Sequence, residues 1–209
     1  MPDSLEQVAA EVCVCTNCPL HQGRTNAVPG EGPADADIMF IGEGPGFHED
    51  QQGRPFVGAS GNFLTELLEG IGYRREDVYI ANVVKCRPPG NRDPEPAEIA
   101  ACAAYLDRQI EIINPKVIVT LGRFSMAKWF PSARISRIHG QAREASGRLI
   151  VPFFHPAAAL HQASLRQTVE EDFRKLPGYI EQVRAGRQFE PAEDRDDDSG
   201  DSFEQLSLF

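Results

Sequence analysis

Long apolar runs are missing from this chain of 209 residues. No stretch approaches the ~20 residues that a bilayer-spanning helix needs, which argues against a transmembrane segment. The first residues also lack the basic-then-apolar order of a secretory leader, so a cytoplasmic protein is expected. Positive charge is scarce as well. There are 21 Lys and Arg against 31 Asp and Glu, a net of −10. That balance excludes a broadly basic nucleic-acid-coating surface and leaves room only for a local patch. No internal repeat is present. Five cysteines in a reducing compartment point to metal or redox chemistry rather than disulfides. What remains is an ordinary globular composition, 41% hydrophobic and 25% charged, with chain enough for one domain and a sizeable core.

The acidity is uneven. Residues 187–209 carry eight acids and two arginines, so the tail holds −6 and the body −4. From about Gly186 apolar residues thin out, and 186–204 is expected to be an acidic disordered linker following a domain of residues 1–185. Two basic clusters stand out in the body: Lys85, Arg87 and Arg92, and then Arg134, Arg137, Arg143 and Arg148. Either one could be a nucleic-acid patch or a solvated face.

Short apolar runs at 38–41, 78–84, 117–121 and 149–154 read as buried strands. Helical spacing marks 4–14, 61–71, 96–113, a segment through Trp129, and 165–184. Residues 134–148 read as a basic hairpin or loop. The alternation predicts an α/β fold, a three-layer αβα sandwich around a central four-stranded parallel sheet. Ligands in such folds bind beyond the carboxyl ends of the strands. Here those ends carry Glu43 and Gly44, Asn82, Gly122 and His155.

The run Gly42–Gly58, GEGPGFHEDQQGRPFVG, follows the first strand. It joins permissive glycines to carboxylates and one aromatic, Phe56, as expected where backbone approaches a flat ligand. Gly42-x-Gly44-x-Gly46 could pass for a dinucleotide loop; Pro45 and the expected lack of a helix directly after it argue against that. Cys15 and Cys18 form a C-x2-C pair, and Cys86 and Cys102 could approach each other after the second strand. Four such thiolates suit tetrahedral zinc or an iron–sulfur cluster, and spacing alone leaves both open. Cys13 is left over, because the two-residue spacer favours Cys15.

Taken together, these pieces resemble the family 4 uracil-DNA glycosylases, the iron–sulfur branch of that superfamily. The resemblance spans about residues 5–185. It is carried by Cys15 and Cys18, GEGPG-x-x-ED at 42–50, GRPFVG at 53–58, NVVKCRPPGNR at 82–92, Cys102, and HPAAAL at 155–160. It implies a structural 4Fe–4S cluster on Cys15, Cys18, Cys86 and Cys102, and a monofunctional enzyme that removes uracil from single- and double-stranded DNA. A monomer active in the cytoplasm at the nucleoid would follow.

The resemblance also assigns roles. Uracil must leave the stack before its glycosidic bond can be reached. Gly44 and Pro45 would border the flipped base and Phe56 would stack on it. The Asn82 amide would pair with uracil O4 and N3–H, a pattern cytosine reverses in part. His155 would donate to O2 as charge develops there, a contribution of ~3–4 kcal/mol for such a donor. Water then attacks C1′, activated by Glu43 or by Glu49. Family 1 enzymes place an Asp where this chain has Gly44. Glu49 could instead wall off the position of a thymine methyl, and Leu160 could wedge into the gap left by the base. A related branch traps DNA covalently through a His in an inserted KRRIH loop. This chain has KCRPPGNRDP there, and Arg137-Ile138-His139 lies in another segment, so turnover is expected.

The chain ends Gln205-Leu206-Ser207-Leu208-Phe209. That resembles the peptide with which bacterial repair proteins dock on the sliding clamp, with Gln205, Leu206, Leu208 and Phe209 as anchors. The linker before it would reach ~20–25 Å as a flexible coil. Two other functions use the same features: a non-catalytic iron–sulfur DNA-binding or clamp-adaptor protein, and a zinc-stabilised nucleotide hydrolase.

Overall fold

A computed structural model describes residues 3–190. The Gln205–Phe209 peptide and the linker from 191 onward lie outside the described residues. The strands are β1 (Ile38–Gly42), β2 (Tyr79–Asn82), β3 (Val117–Leu121), β4 (Arg143–Ala145) and β5 (Arg148–Phe153). Their order across the sheet is β2-β1-β3-β5-β4. β1, β2, β3 and β5 pair in parallel, and β4 runs antiparallel to β5.

The sheet therefore has five strands and not four, and one edge is antiparallel. The reason is local. Ser146 and Gly147 both take positive φ, 53° and 70°. That two-residue turn matches the twist of a hairpin, so Ala145 pairs with Arg148 and the basic segment adds an edge strand.

Alternation along the strands divides the core. Ile38, Phe40, Val117, Val119, Leu149, Val151 and Phe153 face one side; Met39, Ile41, Ile118 and Ile150 face the other. The first face is covered by α3 (Ala59–Gly70) and α8 (Ala163–Arg184), through Phe63, Leu64, Leu67 and Leu68 and through Val169, Phe173, Leu176 and Ile180. The second is covered by α4 (Pro96–Ile113) through Leu106, Ile110 and Ile113. Helices on both faces leave the strand ends as the open rim. α1 (Leu5–Val14) packs on α4.

Two expectations need correction. A helix does follow Gly46 directly: α2, Phe47–Gln52. Its signal is a capping box in which the Glu49 side chain accepts from the Gly46 N–H at 3.1 Å, with Gly53 at φ 68° stopping it after six residues. The helix expected through Trp129 is only α5, Arg123–Met126. The remaining helices are short α6 (Ile135–Ile138) and α7 (Pro156–His161). At the other end, residues 187–190 stay with the domain, since Phe189 packs against Tyr179 and the Glu144 N–H donates to the Glu190 carbonyl at 3.0 Å.

Candidate active site

A cleft of about 70 Å³ opens at the carboxyl rim of the sheet. One ordered water needs about 10–15 Å³, so the cleft suits a group of several heavy atoms. Glu43, Gly44, Pro45, Glu49, Phe56, Asn82 and His155 all line it.

Asn82 ends β2 opposite Gly42 of β1. It is 2% exposed, and its Oδ1 is buried without a partner. Buried polar atoms almost always find one, so an orphan at a cleft wall marks a place for a ligand donor. A Cβ on Gly42 would stand 2.4 Å from that Oδ1 and 2.7 Å from the Phe56 ring. Glycine is required there because amide and aromatic both press against the strand backbone.

Phe56 is buried with φ 51°, in the left-handed region, which costs a non-glycine residue of order 1–3 kcal/mol. Three groups hold it. Glu49 Oε1 accepts from the Val57 and Gly58 N–H groups, each at 2.9 Å. Arg75 donates to the carbonyls of Phe56, at 2.8 Å, and Pro55, and Glu31 pairs with Arg75. The first turn of α3 crowds in behind, and a Cβ on Gly61 would lie 2.0 Å from the Phe56 carbonyl oxygen. Both Glu49 oxygens are thus engaged by backbone N–H groups, and the carboxylate acts as a clasp for the loop.

His155 caps α7, its Nδ1 accepting from the Ala157 N–H at 3.1 Å. Burial lowers its pKa to about 4, against a smaller opposing pull from Glu49. The imidazole is therefore neutral at pH 7, and an accepting Nδ1 leaves the proton on Nε2. The ring stacks near Phe56, centroids 5.5 Å apart.

Glu43, just past β1, is 4% exposed. Burial lifts its carboxyl to about 7, opposed by the Phe124 N–H and by Arg123, and reinforced by Asp93. The Phe124 N–H donates to Oε1 at 3.3 Å. A Cβ on Gly122 would sit 2.3 Å from that oxygen. The glycine that ends β3 makes room for the carboxylate. A carboxyl poised near neutrality is suited to proton transfer.

The four expected cysteines meet in a second pocket, which Cys15, Cys18, Cys86 and Cys102 line with Leu20, Val84 and Tyr105. Cys13 is exposed and stands apart. Arg24 donates to Cys86 Sγ at 3.2 Å and the Asn17 N–H to Cys15 Sγ at 3.4 Å. Burial pushes the Cys102 thiol up to about 11, opposed by Lys85. Among the described residues no three His, Cys, Asp or Glu side chains are grouped to hold one metal ion. Thiolates sharing a single zinc stand about 3.8 Å apart, given Zn–S of about 2.3 Å. A cluster spreads them over separate irons. Donor type, shared pocket and N–H groups aimed at sulfur fit the cluster.

The basic cluster around Lys85 is not a solvated face. Lys85 is 1% exposed, and Arg92 is forked onto Glu98 at 2.6 and 2.9 Å. Arg87 lies over the exposed Phe47 ring, 5.1 Å from its centroid. Leu160 is exposed on α7. Sequence reasoning missed Arg75, Glu31 and Gly61, and it placed Lys85 in a basic patch when the residue is buried. The glycine after each strand or turn was a visible signal; the partners of Phe56, 19 residues or more away, were not.

The family model described as "Uracil DNA glycosylase superfamily" matches residues 29–176. The type-4 uracil-DNA glycosylase of Sulfurisphaera tokodaii is 52% identical over 184 residues, 83% of this chain and 84% of that protein. The type-4 enzyme of Thermotoga maritima is 50% identical, covering 84% and 94%. A type-5 uracil-DNA glycosylase of Thermus thermophilus is 37% identical over 114 residues, covering 47% and 52%.

Proposed function

The chain belongs to the uracil DNA glycosylase superfamily and to its type-4 group, and from that premise we propose that it excises uracil from DNA by hydrolysing the N-glycosidic bond. The observation that carries the reading is the buried, unpartnered Oδ1 of Asn82 at a cleft wall beside Phe56 and His155. Uracil N3–H supplies the missing donor and O4 takes the amide N–H. Cytosine has an unprotonated N3 and would leave that oxygen orphaned, a loss of about 1–3 kcal/mol.

The geometry supports the following steps. Phe56, held by its clasp, stacks on the extruded ring, and the Gly44–Pro45 backbone borders it. As C1′–N1 lengthens, its electron pair moves into the base and accumulates on O2. Nε2–H of neutral His155 meets that charge without giving up its proton. Water adds to C1′, and its proton passes to ionised Glu43. Products are a uracil anion and an abasic site. Glu49 serves as the loop clasp rather than the base.

Cys15, Cys18, Cys86 and Cys102 would hold a 4Fe–4S cluster, which supplies structural bracing rather than chemistry. The described residues contain no helix long and apolar enough to cross a membrane. A monomer working at the nucleoid, clamp docking through Gln205, Leu206, Leu208 and Phe209, and turnover without a covalent adduct complete the reading. The test is uracil release from a labelled oligonucleotide by wild type, Asn82→Ala and His155→Ala. Cluster-loaded wild type that leaves uracil in place would instead favour a non-catalytic adaptor.

A further inference from the structure

Lys85 is fully buried, 1% exposed, and among the described residues it makes no ion pair with a carboxylate. Its Nζ donates instead to the Asn82 carbonyl at 2.9 Å and to Gln109 Oε1 at 2.6 Å. Gln109 is itself fixed, donating to the Pro29 carbonyl at 2.7 Å and to the Tyr79 hydroxyl at 3.1 Å. On its other side Lys85 lines the pocket that holds Cys15, Cys18, Cys86 and Cys102. An unpaired buried ammonium is costly, and a Met of similar length would fill the space without that cost. One residue therefore links the strand end that carries Asn82 to the cysteine pocket.

We propose that Lys85 is a positioning residue that joins the two pockets, bracing Asn82 from behind while its positive charge offsets the thiolates that hold the cluster. The inference rests on the uracil reading above. In the variant Lys85→Met the stem stays and the donors and charge go. Iron content should be retained. The cluster's midpoint potential should become more negative, because a nearby cation favours the reduced form. Inhibition by free uracil should weaken at least about tenfold, the scale of one lost charge-assisted hydrogen bond, while binding of uracil-free duplex is unchanged. A potential and uracil inhibition equal to wild type would overturn the inference. Were Lys85→Met not to fold, Gln109→Leu removes the side-chain acceptor of Lys85 together with the bonds to Pro29 and Tyr79; wild-type uracil inhibition in that variant would also overturn it. If the wild-type protein releases no uracil, the proposed function fails, and the potential of Lys85→Met decides the inference by itself.

Discussion

Glu43→Gln separates chemistry from stability. The amide is close to isosteric and keeps an acceptor for the Phe124 N–H, but it cannot ionise. In the wild type, burial moves the carboxyl from 4.5 to about 7. At ~1.36 kcal/mol per pH unit, holding the ionised form costs about 3 kcal/mol. The folded protein keeps a proton that the unfolded chain has released, so the favourable contribution is complete below pH 4.5 and is lost as pH rises through about 7. Glutamine removes that loss. At pH 8 the variant should melt about 6–12 °C above wild type, from ~2–4 °C per kcal/mol for a chain of this size; near pH 4.5 the difference should vanish. Excision should move the other way. Single-turnover uracil release by wild type should climb with pH and level off above about 7, whereas the variant should be ~100-fold slower or worse and lack that rise. Scanning calorimetry and quenched single-turnover assays across this range read both quantities. A melting difference that ignores pH, or a variant that keeps wild-type excision, would refute the assignment of Glu43.

Asn82→Ala should leave the melting temperature unchanged or higher, since it deletes an oxygen that has no partner, yet lower uracil release at least ~100-fold; calorimetry beside an excision assay checks the pairing. Gly61→Ala puts a methyl 2.0 Å from the Phe56 carbonyl oxygen, and the forced shift should cost ~1–3 kcal/mol and weaken inhibition by free uracil, read by calorimetry and by product inhibition. Deleting 205–209 should abolish pull-down by a bacterial sliding clamp and spare excision on short oligonucleotides; loss of excision would mean that the tail packs on the domain.

The strands were readable because buried parallel strands are continuous apolar runs, and the rim residues were readable because they stand directly after those runs. Phe40 and Val119 announce themselves; so, by position, do Asn82 and His155. Other features depend on contacts that periodicity does not encode. Lys85 looked like part of a basic face because charge is normally solvated, and only the fold shows Asn82, Gln109 and Cys102 around it. β4 lay in a polar segment that read as a basic hairpin or loop, and its pairing with β5 turned on Ser146-Gly147. α2 was short, polar and fixed by a capping box. Arg75 reaches the Phe56 carbonyl from a distant segment and Glu31 pairs with Arg75 from another, and nothing in their neighbourhoods hints at a clasp. The proposed division of labour between Glu43 and Glu49 was likewise closed to the sequence: two loop acids six positions apart are told apart by the N–H groups and charges that the fold brings around them.

That difference explains how one loop serves two ends. Glu49 spends its acceptors on the Gly46, Val57 and Gly58 N–H groups, so its geometry is rigid and its oxygens are engaged by the loop. Glu43 has a long bond from the Phe124 N–H, a lesser pull from the Arg123 N–H and deep burial, so its charge is poorly supported and its proton affinity rises. The rim concentrates further unfavourable features: a left-handed Phe56, an orphaned amide oxygen, and an imidazole kept neutral by desolvation. Each would be removed by a bland substitution, and on the proposed reading each has a use once a planar base with an N–H donor and a carbonyl that gathers charge fills the cleft. The core beneath can carry the burden, since every fully buried Leu, Ile or Phe contributes ~1.5–3 kcal/mol and the cluster under Phe56 alone joins β1, β3 and β5 to α3 and α8. Strain at the rim and surplus burial under the sheet are thus two parts of one arrangement, in which the energy that holds Phe56, Asn82 and Glu43 away from their own preferred surroundings is supplied by residues that never meet the substrate.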